Sequence, residues 1–261
     1  MLNPPTPDIL YHYCSIDAFQ SIIQSRRIWL SDLSKSNDSQ EGKIASRIIL
    51  DALKEDYGHT RDELDFIQKD YERIARGISC MGISLSAKKD RLSQWRGYGD
   101  DGKGIALGFS GKWLIQTSYL RPVYYSKEDQ TQLISAHIRD LSTVIKNNDL
   151  ASVKKRLFTI GQEILYQYKD DFFSEEDEWR LKRNVTKKEP YLEIKRRHAN
   201  GKIISFFELP LLNDDPPLVA PISHVLLGPK NNIPKKFFLE LLDNNGFTNE
   251  INVCPSRGSY Q

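Results

Sequence analysis

The chain has 261 residues, of which 39% are hydrophobic and 28% charged, so it is long and apolar enough for a sizeable folded core. Lys and Arg number 37 against 35 Asp and Glu, and the net charge of +2 gives no case for a strongly basic nucleic-acid surface. Three distant cysteines without Cys-x-x-Cys spacing argue against a zinc site and favour free thiols in a reducing compartment. Neither a signal peptide nor a membrane-spanning run is visible, so we expect a cytoplasmic protein with no membrane association.

Hydrophobic periodicity predicts short strands mixed with helices along the whole chain. Two helical stretches, at 40–76 and 128–171, are each predicted as two helices divided by a polar segment. We therefore expect one α+β domain over 1–261 with these two helical inserts, rather than a βαβ repeat. The other predicted elements are strands at 9–14, 27–30, 78–86, 104–109, 123–125, 177–185, 202–209, 222–227 and 251–254, and helices at 18–25 and 235–244.

The first strand contains Tyr11-His12-Tyr13, in which the histidine points away from both tyrosines. A histidine here could bind a ligand or act as a base, or it could be a core residue satisfied by the backbone. In the strand at 78–86, Ser84 and Ser86 share one face and could bond either a ligand or a neighbouring strand.

An acidic segment precedes the strand at 177–185. Glu176 and Glu178 have strand spacing, so we expect both carboxylates on one face, with Arg180 next in line to pair with Glu178. Adjacent carboxylates raise one another's pKa, which suits acid–base chemistry. The alternative is an exposed acidic turn.

Two polar loops are further candidates. Asn37, Asp38 and Glu41 supply oxygens at a turn, which is usually only a turn. Arg96 and Tyr98, with Trp95, lie in a segment flanked by glycines and could stack on a planar ligand, or Trp95 could close the end of the core.

These segments, in this order, resemble DUF2971, a bacterial and phage-associated family of unknown function. The resemblance extends over about residues 9–240. The segments that carry it are Leu10 to Tyr13, Ile28 to Ser31, Asn37-Asp38 with Glu41, Ile83 to Ser86, Trp95 to Gly99, Gly104 to Phe109, Glu176 to Leu181 and His224 to Gly228.

More distantly, the chain resembles ADP-ribosyltransferases, in which two small, mostly antiparallel sheets form a cleft around NAD. The resemblance implies NAD as substrate, Glu178 as the main catalytic residue and Glu176 as the residue that orients the acceptor. A fixed carboxylate would favour the positive charge that develops on the ribose. The implied cofactor-binding residues are His12, Tyr13, Ser84, Ser86, Arg96 and Tyr98.

The implied function is transfer of ADP-ribose to a nucleic-acid or protein acceptor by a toxin or phage-defence effector, with an antitoxin or regulatory partner. Two alternatives stay open. One is a non-catalytic binding component, in which His12, Ser84 and Glu178 would lie apart or be buried in salt bridges. The other is a metal-dependent nuclease that uses Asp38, Glu41, Glu176 and Glu178. The transferase interpretation needs no metal.

Overall fold

The structure is a computed structural model that describes residues 4–35, 41–185, 193–199, 201–212, 219–248 and 250–258. Strands and helices alternate irregularly along the chain, as the periodicity predicts. The strands are β1 Ile9–Cys14, β2 Arg27–Asp32, β3 Ser79–Ser86, β4 Ile105–Ser110, β5 Tyr119–Pro122, β6 Glu178–Val185, β7 Lys195–Ala199, β8 Lys202–Pro210, β9 Ile222–Leu227 and β10 Asn252–Pro255. The helices are α1 Ile16–Ser25, α2 Glu41–Glu55, α3 Arg61–Gly77, α4 Leu92–Gly97, α5 Gly111–Thr117, α6 Lys127–Lys146, α7 Leu150–Ile164 and α8 Lys235–Asn244.

Side-chain caps fix where several helices begin. The Ser15 hydroxyl accepts from the Ala18 backbone N–H and so caps α1. Thr60 and Glu63 form a reciprocal capping box at the start of α3, directly after the break predicted near residues 57–60. These local signals are strong because each cap satisfies backbone donors that the helix cannot.

The described strands form one mixed sheet with the order β10-β9-β4-β1-β3-β2-β8-β7. Strand β6 pairs with β3, and β5 pairs with β6. All of these pairings are antiparallel except that of β9 with β10. The prediction of an α+β fold is confirmed at this level.

Two main hydrophobic clusters stabilise the fold. One packs a face of the sheet against α1, α5 and α8, around residues such as Leu10, Leu107 and Phe238. The other lies among α2, α3, α6 and α7, around residues such as Leu53 and Leu157. The helices predicted as inserts therefore have a core of their own, built from the apolar stripes seen in the sequence.

Three predicted elements are wrong. Residues 92–97 form α4 rather than a loop, since buried Trp95 anchors the turn by donating its indole N–H to Asp90 Oδ1 at 2.8 Å. The strand after α5 is Tyr119–Pro122 rather than 123–125, and Tyr124 makes only an isolated bridge to Tyr168. The second insert ends as a helix at Ile164 rather than at residue 171, because Leu165 leaves helical backbone angles with a ψ of 127° and Tyr166 has a left-handed φ of 61°.

Among the described residues, no helix is both long and apolar enough to cross a lipid bilayer.

Candidate functional site

A gap opens in the sheet beside the end of β3. One edge of β3 pairs with β6 along its whole length. The other edge is shared, because β1 meets it at Ser86 whereas β2 meets it at Met81 and Gly82. Strands β1 and β2 therefore separate next to residues 83–85, and a cleft forms where the ladder is interrupted.

His12 occupies this gap. Its ring Nδ1 lies 3.1 Å from the carbonyl oxygen of Ser84. A carbonyl can only accept, so Nδ1 carries the proton and Nε2 of the neutral ring is an acceptor. Burial lowers the pKa of His12, and the hydrogen bond to Ser84 only partly opposes this effect. His12 is therefore neutral at pH 7 and has an acceptor to offer a ligand.

The cleft contains a small cavity of about 90 Å³. It brings together every residue implied for the transferase site except Arg96, which is exposed on α4 and does not line it. Segments more than 160 residues apart in the sequence thus meet here. The lining residues are Tyr11, His12, Tyr13, Ser84, Leu85, Ser86, Gln94, Tyr98, Lys169, Glu176 and Glu178.

Glu178 lies in a buried ion pair on the cleft side of β6. Its two carboxylate oxygens accept from Nε and Nη2 of Arg180 at 2.6 and 3.0 Å, and Nζ of Lys169 lies 3.4 Å from Oε2. Burial raises the pKa of Glu178, but the attraction of Arg180 and Lys169 outweighs it and the pKa lies below its ordinary value. Glu178 is therefore ionised at neutral pH, and its charge is compensated within the protein.

Glu176 also contacts Lys169, but its backbone is not part of strand β6. It ends a 3-10 helix, Asp171–Glu176, and Asp177 follows with a left-handed φ of 44°. The prediction that Glu176 and Glu178 share a strand face is therefore wrong. The two carboxylates meet instead through Lys169, whose Nζ lies 2.5 Å from Glu176 Oε2.

Lys169 and Tyr98 hold Glu176 from two sides. The Tyr98 hydroxyl donates to Glu176 Oε1 at 2.9 Å, so this bond links α4 to the acidic segment. Burial lowers the pKa of Lys169, but the nearby carboxylates of Glu178 and Glu176 outweigh it and raise the pKa above the ordinary lysine value. Lys169 therefore stays charged between the two glutamates.

Other polar side chains position the backbone around the cleft. The Ser86 hydroxyl donates to the carbonyl of Glu176 at 2.7 Å, and the Tyr125 hydroxyl accepts from the backbone N–H of Glu178 at 3.0 Å. The Tyr13 hydroxyl donates to the carbonyl of Lys88, and its ring packs edge-on against Trp95. Tyr13 thus lines the cavity with its ring while its hydroxyl fixes a neighbouring loop.

Beyond Glu178, the polar side chains of β6 bind the end of α7. Three successive residues on one strand face donate to carbonyls that the helix leaves unsatisfied. The bonds are Arg180 Nη1 to Tyr166 O at 2.8 Å, Lys182 Nζ to Glu163 O at 2.9 Å and Leu165 O at 3.1 Å, and Asn184 Nδ2 to Gln162 O at 2.5 Å. The second insert is therefore attached directly to the strand that carries Glu178.

Sequence reasoning missed Lys169, Gln94 and Tyr125 at this site. Lys169 follows α7 in a segment without regular periodicity, and no motif marks it. Gln94 and Tyr125 look like ordinary polar and aromatic residues until the fold is known. The pairing of Arg180 with Glu178, by contrast, follows from strand spacing and is present in the structure.

The residues proposed for a metal-dependent nuclease are only partly described. Asn37 and Asp38 lie outside the described residues, and the structure gives no side-chain position for Glu41. Within the described part of the chain, no group of three or more His, Cys, Asp or Glu side chains is arranged to hold a metal ion. The nuclease alternative therefore gains no supporting geometry.

Comparison with protein families gives one match. The model of the family described as "Protein of unknown function (DUF2971)" matches residues 94–181, about a third of the chain. The predicted DUF2971 resemblance is thus confirmed, over a shorter range than about 9–240. The matched segment includes Gln94, Tyr98, Lys169, Glu176 and Glu178 from the cavity lining. Comparisons with curated proteins and with solved structures find no match.

Proposed function

We propose that this chain, which has a DUF2971 segment at residues 94–181, binds NAD in the cleft beside β3 and transfers ADP-ribose to an acceptor. One observation carries the proposal. His12, Ser84 and Glu178 come from three separate strands, and their side chains line one cavity at the gap between β1 and β2. The described strands form one sheet, so in this proposal the gap between β1 and β2 takes the place of the cleft between two sheets.

The chemistry suits an ionised carboxylate at this position. The bond between C1′ of the ribose and the nicotinamide nitrogen breaks, and its electron pair leaves with nicotinamide. Positive charge then develops on the ribose, and the ionised carboxylate of Glu178, at a fixed position on β6, stabilises it. The acceptor, oriented by Glu176, forms the new bond to C1′ and releases its proton to water.

The remaining predicted residues supply binding and orientation. Nε2 of neutral His12 accepts a hydrogen bond from a ribose hydroxyl, and Ser84 and Ser86 support the nicotinamide pocket. Tyr98, which is 44% exposed, stacks on the nicotinamide ring. Arg96, being exposed on α4, contributes outside the cavity.

NAD binding requires the cleft to open. Its cavity of about 90 Å³ is well below the roughly 300–1,000 Å³ of ordinary ligand pockets. Breaking the hydrogen bond between Tyr98 and Glu176 enlarges it and frees the aromatic ring for stacking. The same movement frees one oxygen of Glu176 for the acceptor.

A second candidate function is a non-catalytic module that binds a regulatory partner. It is favoured by the bidentate pairing of Glu178 with Arg180, at only 5% exposure of the glutamate. In this candidate the carboxylate maintains the structure of β6 and never contacts a substrate. The two candidates differ in whether Glu178 affects turnover beyond its effect on stability.

The discriminating experiment measures NAD binding by calorimetry and NAD consumption in the presence of cell extract. Glu178→Gln should lower consumption by about 100-fold or more, the effect of removing one electrostatic group from a transition state. Glu175→Gln, a change at an exposed neighbouring acid, is the matched control and should match the wild type. His12→Ala should weaken binding of NAD itself.

The transferase proposal fails if folded wild-type protein neither binds nor consumes NAD, or if Glu178→Gln consumes it at the wild-type rate. Thermal unfolding of each variant separates loss of activity from loss of fold. Absence of NAD binding together with a strongly destabilised Glu178→Gln variant would instead support the non-catalytic candidate.

A further inference from the structure

A second and larger cavity lies away from the cleft. It has a volume of about 730 Å³ and is bounded by α2, α3, the start of β3 and the segment that follows α7. None of the residues that line it lines the cleft. We call it the insert cavity. Its size falls within the roughly 300–1,000 Å³ typical of pockets for small organic ligands.

Three exposed cations line the insert cavity. Lys43 and Arg47 lie one turn apart on α2, and Arg76 lies near the end of α3. None of the three has an ion pair or hydrogen bond within the described part of the chain. Like charges spaced i, i+4 on a helix repel one another, so the pair on α2 does not serve helix stability.

The acids of the insert cavity are already engaged. Asp32 accepts from the backbone N–H of Ser34 at 2.9 Å, and Glu72 accepts from Gln68 Nε2 at 3.0 Å. The cations that line the insert cavity therefore outnumber its acids, and among the described residues only the acids have hydrogen bonds. An anionic group is the complement that this lining requires.

Tyr71 gives an independent sign of an absent ligand. It lines the insert cavity, is only 1% exposed, and its hydroxyl has no hydrogen-bond partner in the described structure. A buried hydroxyl without a partner is costly, and native proteins rarely leave one in that state. A polar atom of a bound molecule would satisfy it.

The rest of the lining is apolar or aromatic. Leu50, Ile78 and Leu165 supply aliphatic surface, and the ring of Tyr166 adds a second aromatic face beside Tyr71. We propose that the insert cavity binds a small organic anion with an aromatic body, of the size and chemistry of a nucleoside monophosphate. The cations hold the acid group, and Tyr71 bonds a polar atom of the body.

The test uses AMP as the probe and calorimetry of the full-length protein as the readout. Wild-type protein should bind AMP saturably, and the charge-reversal pair Arg47→Glu/Arg76→Glu should weaken binding by at least about 100-fold, as expected for two charge-assisted contacts. Lys54→Glu is the matched control, an exposed charge on α2 that does not line the insert cavity, and should retain the wild-type affinity.

Tyr71→Phe provides a second variant that keeps the fold. It should lower the affinity for AMP by about 3- to 10-fold, because one neutral hydrogen bond is lost. Inorganic phosphate as a competitor shows whether the acid group alone is recognised. Failure of the wild type to bind AMP saturably, or equal affinity in the charge-reversal and Lys54→Glu variants, overturns the proposal. A binding isotherm that Glu178→Gln abolishes while Arg47→Glu/Arg76→Glu leaves it intact would place AMP in the cleft and overturn it too.

Discussion

The charged side chains of the cleft and of the insert cavity differ in whether they form ion pairs within the described part of the chain. In the cleft, Glu176 and Glu178 are each held by cations of the same chain, and the cavity that remains is about 90 Å³. In the insert cavity, Arg47 and Arg76 line about 730 Å³ without a described partner. The charges of Glu178 and Arg180 are buried and compensated by each other, whereas the exposed cations around the insert cavity are available to an anionic ligand. The cleft residues therefore have to be tested for stability as well as for activity.

The strongest test of this contrast is to break the buried pair in the cleft. Arg180→Met removes the bidentate partner of the Glu178 carboxylate, leaving Lys169 and Ser84, and removes the donor to the Tyr166 carbonyl. Because it strands a buried charge, we expect a loss of about 3–5 kcal/mol in the free energy of unfolding. Urea denaturation measures it.

Arg73→Met is the control for that change, since Arg73 pairs with Asp70 at the surface with 61% of its side chain exposed. Its loss should not exceed about 1 kcal/mol. The double variant Glu178→Leu/Arg180→Met should lose less than Arg180→Met alone, because no charge is then stranded. A loss below about 1 kcal/mol for Arg180→Met would contradict the view that this pair supports the fold.

The next largest expected effect is a pH dependence of the free energy of unfolding that arises from Lys182, two residues after Arg180 on β6. Burial lowers the pKa of Lys182 to about 8, and an unfolded lysine has a pKa of about 10.4. Between about pH 8 and about pH 10.4, Lys182 is protonated in the unfolded chain but largely neutral in the folded one. This residue therefore makes the free energy of unfolding rise with pH, by up to about 1.4 kcal/mol per pH unit. The stability of Lys182→Met relative to wild type should therefore fall as the pH goes from 8 to 10.

Comparing the two proteins at each pH removes the opposite contribution of Lys169, whose raised pKa makes its stabilisation decline at high pH. Chemical denaturation at several pH values gives the difference. A difference that stays constant over this range would show that Lys182 is not the titrating group.

A smaller effect is expected for Tyr125→Phe in the cleft. The Tyr125 hydroxyl accepts from the backbone N–H of Glu178, and its removal leaves that donor without its partner. The expected loss in the free energy of unfolding is about 1–3 kcal/mol. Thermal or urea unfolding of the variant measures it, and an unchanged stability would mean that water replaces the hydroxyl.

The smallest effect on the free energy of unfolding is expected for a second tyrosine-to-phenylalanine change, Tyr71→Phe in the insert cavity. Tyr71→Phe removes a buried hydroxyl that has no described partner, so the free energy of unfolding without ligand should stay within about 0.5 kcal/mol of wild type or increase. Measured beside Tyr125→Phe, it compares a satisfied and an unsatisfied hydroxyl directly. A loss above about 1 kcal/mol would show that the hydroxyl has a structural role.

The sequence could predict much of the cleft because strands alternate with a period of two. Ser84 and Glu178 lie on strands whose extent follows from composition, and the Glu178–Arg180 spacing predicts their contact. The same rule misplaces Glu176, because this residue ends a 3-10 helix. The left-handed Asp177 then separates it from Glu178, the first residue of β6. One unusual φ value changes the geometry without any signal in the residue types.

Lys169 and the insert cavity could not be predicted for a different reason. The position of Lys169 depends on how α7 docks against β6, which is a contact between distant segments. Arg47 and Arg76 look like solvent-facing charges of amphipathic helices, and only the packing of α2 and α3 against β3 encloses space beside them. Local patterns describe helix faces well but contain no information about the space between helices.

The bonds from β6 to the end of α7 also restrict how this chain can change in evolution. Arg180, Lys182 and Asn184 all face α7, and Glu178 faces the cleft from the same side of the strand. Inserting or deleting one residue within β6 would turn the side chains on one side of the change toward the hydrophobic core. Length changes in β6 should therefore be rejected even where single substitutions are tolerated, because they would disturb the contacts with α7 and the cleft together.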